Sequence, residues 1–243
     1  MTGLGTLINV ITILVGGMAG LILKRFLSVR ITETVMQGIG LAVIIIGISG
    51  ALSSAYTVIG KDIASDHILI MIISLAVGAL IGELIKIEEK LDSFAKFSES
   101  KFVKPGELST FSQGFVTASL VFCVGSMAIL GAFEDGVNNN RDILFAKSAL
   151  DGITAMIFAA TLGIGVLFSA VAVGLYQGTL TLLSVFIALY LSDTVITQMS
   201  LIGSVLIMAV GFNLLKIARI KVGNLLPAIF IPAIYHLIRS LIL

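Results

Sequence analysis

The sequence predicts an all-α, polytopic transmembrane helix bundle of about eight spans. Three observations carry this. The 243-residue chain is 58% hydrophobic and only 12% charged, with a mean hydropathy of +1.13, where an ordinary soluble domain carries about 25% charged residues. Apolar runs of about twenty residues, the length a helix needs to cross the hydrocarbon core, recur from end to end. The alternating segments of about ten residues that mark a membrane barrel are absent.

Taken in order, the spans read 4–23, 35–53, 68–85, 113–132, 148–168, 171–191, 196–214 and 226–242. The first is closed by Lys24 and Arg25. The fifth and sixth come from one uncharged stretch, ITAMIFAATLGIGVLFSAVAVGLYQGTLTLLSVFIALYL, about twice as long as one crossing needs. Gly163, Gly165 and Ser169 are its turn candidates, and either span could be broken or re-entrant. In the eighth, Pro227 suits a helix start and Pro232 predicts a kink. The whole chain, 1–243, reads as one integral membrane domain.

Charge sets the parity. The loops 24–34, 86–112 and 215–225 hold eleven of the fifteen basic residues, the others being Lys61, Arg141, Lys147 and Arg239. Eight crossings with both termini extracytoplasmic put all three loops in the cytoplasm, as the positive-inside rule requires. Fusing the fifth and sixth spans would place Lys216, Arg219 and Lys221 outside. Within 86–106, Ile87, Leu91 and Phe94 share a helical face and Asp92 sits four residues before Lys96. This predicts an amphipathic extension of the third span, lying on the cytoplasmic surface and ending at Pro105–Gly106.

A faint internal repeat is visible. GELIKI at 82–87 matches FNLLKI at 212–217, MQG at 36–38 matches YQG at 176–178, and LINVIT at 7–12 matches LDGIT at 150–154, in the same order. This suggests two parallel four-span halves, 1–133 and 144–243, and transporters often bind substrate where such repeats meet.

Other functions are disfavoured. A net charge of +1 implies no nucleic-acid partner. The single cysteine, Cys123, allows no intrachain disulfide. No basic residue precedes the first apolar run, so a cleavable signal is not expected. His67 and His236 lie far apart at span ends, with no zinc constellation, phosphate loop or serine nucleophile elbow. The expectation is a non-enzymatic protein without metal or cofactor.

The polar chemistry concentrates in FEDGVNNNRD at 133–142, with Glu134 and Asp135, followed by Lys147 and Asp151. The last two share a helical face. Two readings stand. Asp151 is a first-turn acid, favoured by the helix dipole and paired with a snorkelling Lys147. Or the carboxylates form an outward vestibule that attracts a cation or takes up a proton, since acids within a membrane boundary usually face a cavity or a partner. Asn9 and Asp151 occupy equivalent places in the repeat, so Asn9, Gln37, Asp151 and Gln177 would line one polar pathway. Each amide could equally be helix-packing glue, and the G-x-x-x-G spacings of GGMAG at 16–20 and GALIG at 78–82 permit close helix approach.

GTLINVITILVGGMAGLILKRFL, CVGSMAILGAFEDG, LFAKSALDGITAMIFAATLGIGVLFSAVAVGLYQG and NLLKIARIKVGNLLPA together resemble the YqgA/YdfK-like family of bacterial inner-membrane proteins. The likeness covers essentially the whole chain. The family is a domain of unknown function whose members are labelled transport or membrane proteins. The resemblance therefore implies a place, the bacterial inner membrane, and no chemistry. It does make GAFEDG and KSALDGITA part of the family pattern, which favours the vestibule. The expected function is a small secondary transporter or channel for an ion or small polar solute, with Asp151→Asn abolishing coupling while leaving folding intact. The alternative is a non-transporting scaffold, packed in the lipid bilayer as a homo-oligomer or around a partner.

Overall fold

A backbone placed in lipid must satisfy its own N–H and C=O groups, and a chain this apolar does so by coiling. A computed structural model describes residues 2–59, 62–64, 67–90, 93, 110–123, 126–187 and 192–242. The helices are α1 (Leu4–Lys24), α2 (Val29–Ala55), α3 (Ile68–Ile85), α4 (Thr110–Cys123), α5 (Ser126–Phe133), α6 (Asp142–Leu162), α7 (Gly165–Ile187), α8 (Asp193–Leu214), α9 (Val222–Leu225) and α10 (Ile231–Ile242). A π turn, Glu134–Asn138, follows α5, and a 3-10 turn, Leu226–Phe230, joins α9 to α10. Between α2 and α3 lies a small antiparallel hairpin, β1 (Thr57–Ile59) and β2 (Asp62–Ala64), with Val58 opposite Ile63. Among the described residues seven segments are long and apolar enough to cross a membrane, and the bent pair α4–α5 makes an eighth if it counts as one span. The protein is thus an all-α polytopic bundle.

Several boundaries differ from those read in the sequence. The fifth and sixth spans are two full helices, but α6 starts at Asp142 and ends at Leu162, six residues before the expected 148–168. The break falls at Gly163, whose φ of 80° suits glycine. Ser169 is no turn residue; it lies inside α7 and returns its hydroxyl to the Val166 carbonyl at 2.6 Å. The broken span is instead the fourth, where α4 and α5 meet at 57°. The last span begins at Val222; it is 3-10 over Leu226–Phe230 and α-helical from Ile231, so Pro232 falls inside it, at the second residue of α10. The segment after α3 does not continue that helix: Lys86 adopts a left-handed conformation (φ 57°) and closes it. Residues 87–90 are helical again; apart from residue 93, the rest of the expected amphipathic segment 86–106 lies outside the described residues.

The chain forms two compact units, each drawn from two stretches of sequence: Met1–Gln37 with Glu89–Phe186, and Gly38–Glu88 with Ile187–Leu243. In the first unit α1 is inverted relative to a soluble amphipathic helix. It buries Gly5, Asn9, Ile13, Gly17 and Gly20, and exposes Leu7, Ile11, Val15, Met18 and Ile22. Small and polar groups face protein while large apolar groups face outwards, as lipid demands. Successive contacts (Gly5 with Leu144, Gly16 with Gly152, Gly20 with Met156) set α1 parallel to α6. Others (Val10 with Gly174, Gly17 with Leu167) set it antiparallel to α7. Gly114 of α4 faces Leu162 and Gly131 of α5 faces Leu144, so the bent pair runs antiparallel along α6. Between those two contacts α6 rises about 27 Å at ~1.5 Å per residue, close to the thickness of a hydrocarbon core.

In the second unit α2 packs antiparallel on α8 through Gly40, Gly47 and Gly50, against Leu215, Met208 and Ser204. Gly78 and Gly82 of α3 fit against Ala228 and Asn224. A polar clasp holds the end of α3 to α9. Glu83 accepts from Lys221 Nζ at 2.8 Å and from Asn224 Nδ2 at 2.5 Å. Asn224 Oδ1 in turn accepts from the Glu88 N–H, and Glu88 from the Gly223 N–H, each at 2.7 Å.

Candidate functional site

Three helices of the first unit turn polar residues towards one another. On α6, Lys147, Ser148 and Asp151 lie within about one turn and are buried. On α7, Ser169, Gln177, Thr181 and Ser184 form a buried polar stripe at helical spacing. On α1, Asn9 is 0% exposed.

Asp151 Oδ2 accepts from Lys147 Nζ and, at 3.0 Å, from Asn9 Nδ2. The same Nδ2 donates to Gln177 Oε1 at 3.1 Å. Lys147 Nζ also stands 6.0 Å from the centre of the Phe122 ring, a cation–π contact. Beside the cluster Thr6 Oγ1 and Thr181 Oγ1 are 3.5 Å apart. Two atoms of this cluster have no partner among the described residues: Asn9 Oδ1 and Gln177 Nε2.

This geometry revises the reading of Asp151 as a first-turn acid. The helix begins nine residues earlier, at Asp142, so Asp151 stands about 13 Å along it at ~1.5 Å per residue, beyond the reach of the terminal dipole. Nor does Lys147 snorkel: it is 6% exposed and Asp151 7%. A buried charge that loses its partner is strongly destabilising, so Asp151→Asn alone is not a silent probe of function.

The acidic loop plays a different part. Asp135 is 0% exposed, and its carboxylate accepts from the Gly3 and Gly5 N–H groups at 3.1 and 3.2 Å and from Arg141 Nε at 3.2 Å. It caps the N-terminus of α1 from another helix, neutralising the N–H groups left over there. Asn9 follows Gly5 by about one turn, so this cap lies one layer above the cluster. Glu134 takes the Asn138 side-chain amide at 3.1 Å. Gln37 is exposed on α2 and is not part of the cluster. The structure therefore brings Asn9, Lys147, Asp151 and Gln177 together, ties Asp135 to the cap above them, and leaves Gln37 apart. Thr181 and Ser184 were not singled out from sequence, although their spacing from Gln177 was a readable signal. Among the described residues no three of His, Cys, Asp and Glu converge as metal ligands.

Asp135→Ala is expected to lower stability by about 1–2 kcal/mol, the worth of a helix cap, with a smaller loss for Asp135→Asn, which keeps an acceptor. Thermal unfolding of the purified protein in detergent measures both. Equal midpoints for wild type and Asp135→Ala would show that α1 needs no such cap.

The fold and the cluster define a polytopic helical membrane protein with an ion pair and two carboxamides buried among its spans. Residues 4–237 match the family described as "Protein of unknown function (DUF554)", and the chain belongs to that family. It is 31% identical over 230 residues to the "Uncharacterized membrane protein YdfK" of Bacillus subtilis (strain 168), covering 95% of this chain and 94% of that one. It is also 31% identical over 232 residues to the "Uncharacterized protein YqgA" of Escherichia coli (strain K12), covering 94% of each. No solved structure is significantly similar.

Proposed function

We propose that this protein is a small secondary transporter or channel that moves an ion or small polar solute across a bacterial inner membrane, and that it is not an enzyme. The observation that carries the reading is the Lys147–Asp151–Asn9–Gln177 cluster, with two amide atoms lacking partners among the described residues. Ionisable residues within membrane spans are costly, and where they occur they commonly mark a solute or proton path. The scaffold reading leaned on the G-x-x-x-G spacings. Gly16 and Gly20 are packed against α6, and Gly78 and Gly82 against Ala228 and Asn224, within the chain. Those glycines serve the protein's own packing, which favours transport over the scaffold.

The test is flux. Purified protein in sealed vesicles with a trapped pH dye is given sodium, potassium, divalent cations and small organic anions in turn, with an electrical readout of ion current alongside. The comparison is the double variant Lys147→Met/Asp151→Asn, which removes both charges together. Wild type is expected to respond to at least one solute and the double variant to none. A response that survives intact in the double variant, or no response from folded wild type to these ions and to uncharged polar solutes alike, would sink the reading.

Orientation follows from parity. If α2 and α3 each cross once, the parallel arrangement of α1 and α6 requires α4–α5 to cross once as well. Eight crossings then put both ends of the chain on one face, and the three basic loops favour the extracytoplasmic one. With Cys123 replaced by Ala, cysteines introduced at Thr2 and Ser240 are expected to react with an impermeant maleimide in intact spheroplasts. Labelling of both only after lysis would reverse the orientation; labelling of one alone would break the parity.

A further inference from the structure

The polar cluster of the first unit is a directed hydrogen-bond chain with two open ends. An ionised carboxylate can only accept, so Asn9 must turn its NH2 group towards Asp151. The same NH2 group donates to Gln177, which must therefore present its carbonyl oxygen. The orientation of both carboxamides thus follows from the charge on Asp151. What remains is an acceptor, Asn9 Oδ1, and a donor, Gln177 Nε2, both without partners among the described residues. Their residues are each 0% exposed. Buried carboxamide atoms are rarely left unpaired, because each has given up water without replacement. The two side chains are themselves hydrogen-bonded at 3.1 Å, so both open ends belong to one cluster.

The chemistry of those ends narrows the occupant. A metal cation would suit Asn9 Oδ1 but would meet the N–H groups of Gln177 and the ammonium of Lys147, which already neutralises the carboxylate. An inorganic anion would suit Gln177 but would face Asn9 Oδ1 and Asp151. Lys147 and Asp151 together carry no net charge, so the cluster offers no field that favours either ion.

We infer that the cluster binds an uncharged group that both donates and accepts a hydrogen bond, at Asn9 Oδ1 and Gln177 Nε2. Such a group is a water molecule, or the hydroxyl or amide of a small solute that takes its place. The inference rests on the transport reading and narrows its cargo from ions to small neutral polar solutes.

Stopped-flow light scattering on sealed vesicles tests this. Volume recovery is followed after addition of urea, acetamide or glycerol, and shrinkage after impermeant sucrose reports water. Wild-type vesicles are expected to admit at least one of the three solutes faster than protein-free vesicles. Gln177→Leu should cut that excess by about five-fold or more, the loss that follows removal of one buried hydrogen-bond partner. If Gln177→Leu does not elute as folded protein, Gln177→Glu replaces it: it keeps an oxygen for Asn9 and removes the open N–H. Acceleration of water alone, lost in the variant, would make water the sole occupant and overturn the solute assignment. Uncharged solutes unaffected while the ion assay of the preceding section responds would overturn this inference and leave the transport reading standing. Silence in both assays from folded protein would remove both.

Discussion

Replacing Asp151 by Asn alone is expected to lower the unfolding midpoint of the detergent-purified protein by roughly 10 °C, whereas Lys147→Met/Asp151→Asn regains most of that loss. The argument is an asymmetry of buried charge. Removing one partner of a buried ion pair leaves the other uncompensated and costs about 3–5 kcal/mol, whereas exchanging both for neutral groups of similar shape is often close to neutral. For a chain of this size each kcal/mol moves the midpoint by about 2–4 °C. Lys147 has no water to retreat to, since it is held between the Asp151 carboxylate and the Phe122 ring. The double variant keeps an acceptor for Asn9 but exchanges a charge-assisted bond for a neutral one, so its recovery is partial. Midpoints for Asp151→Asn and wild type that coincide would mean that Lys147 reaches solvent when its partner is lost. A double variant that is less stable than the single one would mean that the pair is worth more than its parts.

Gly16→Val is expected to give the second large effect. A Cβ at Gly16 would collide with the Gly152 carbonyl, and one at Gly20 with that of Met156. Backbone meets backbone at these points, so no side chain can move aside and the helices must separate. Overpacking of this kind costs typically 1–3 kcal/mol, occasionally more. The separation would occur at the seam where Asn9 reaches Asp151 at 3.0 Å, so flux should fall further than stability does. Gly178→Ala is the control. It has open space around a new Cβ, and alanine favours a helix over glycine by about 1 kcal/mol, so its stability should hold or rise slightly. If Gly16→Val unfolds and transports like wild type, α1 and α6 are not in backbone contact.

Most of the fold was legible because lipid makes hydropathy a direct readout of burial in the membrane. It misleads where a span turns a polar face to protein. The expected fifth span began at 148 because Lys147 was read as a boundary residue; α6 carries Lys147, Ser148 and Asp151 inside it, shielded by α1 and α7. The bend between α4 and α5 has no Pro and no charge in the sequence to announce it. Asn9, Asp151 and Gln177 were grouped from a repeat, and the structure places them in contact. Gln37 came from the same reasoning, but its side chain lies exposed on α2. Composition alone cannot tell which face of a uniformly apolar helix looks inward. Thr181 was legible in principle, four residues from Gln177, but a single threonine in an apolar run also returns its hydroxyl to its own helix.

Asp135 caps a helix that the ribosome completes more than a hundred residues earlier. At ~5–20 residues per second, the interval between the two is of the order of ten seconds. Asn9 waits longer still, because Asp151 and Gln177 are made after Asp135. Until then the N–H groups at the start of α1 and the Asn9 amide lack the partners they have in the folded chain. α1 is therefore made early and completed late, because the groups that satisfy its cap and its Asn9 amide all come from spans that follow it.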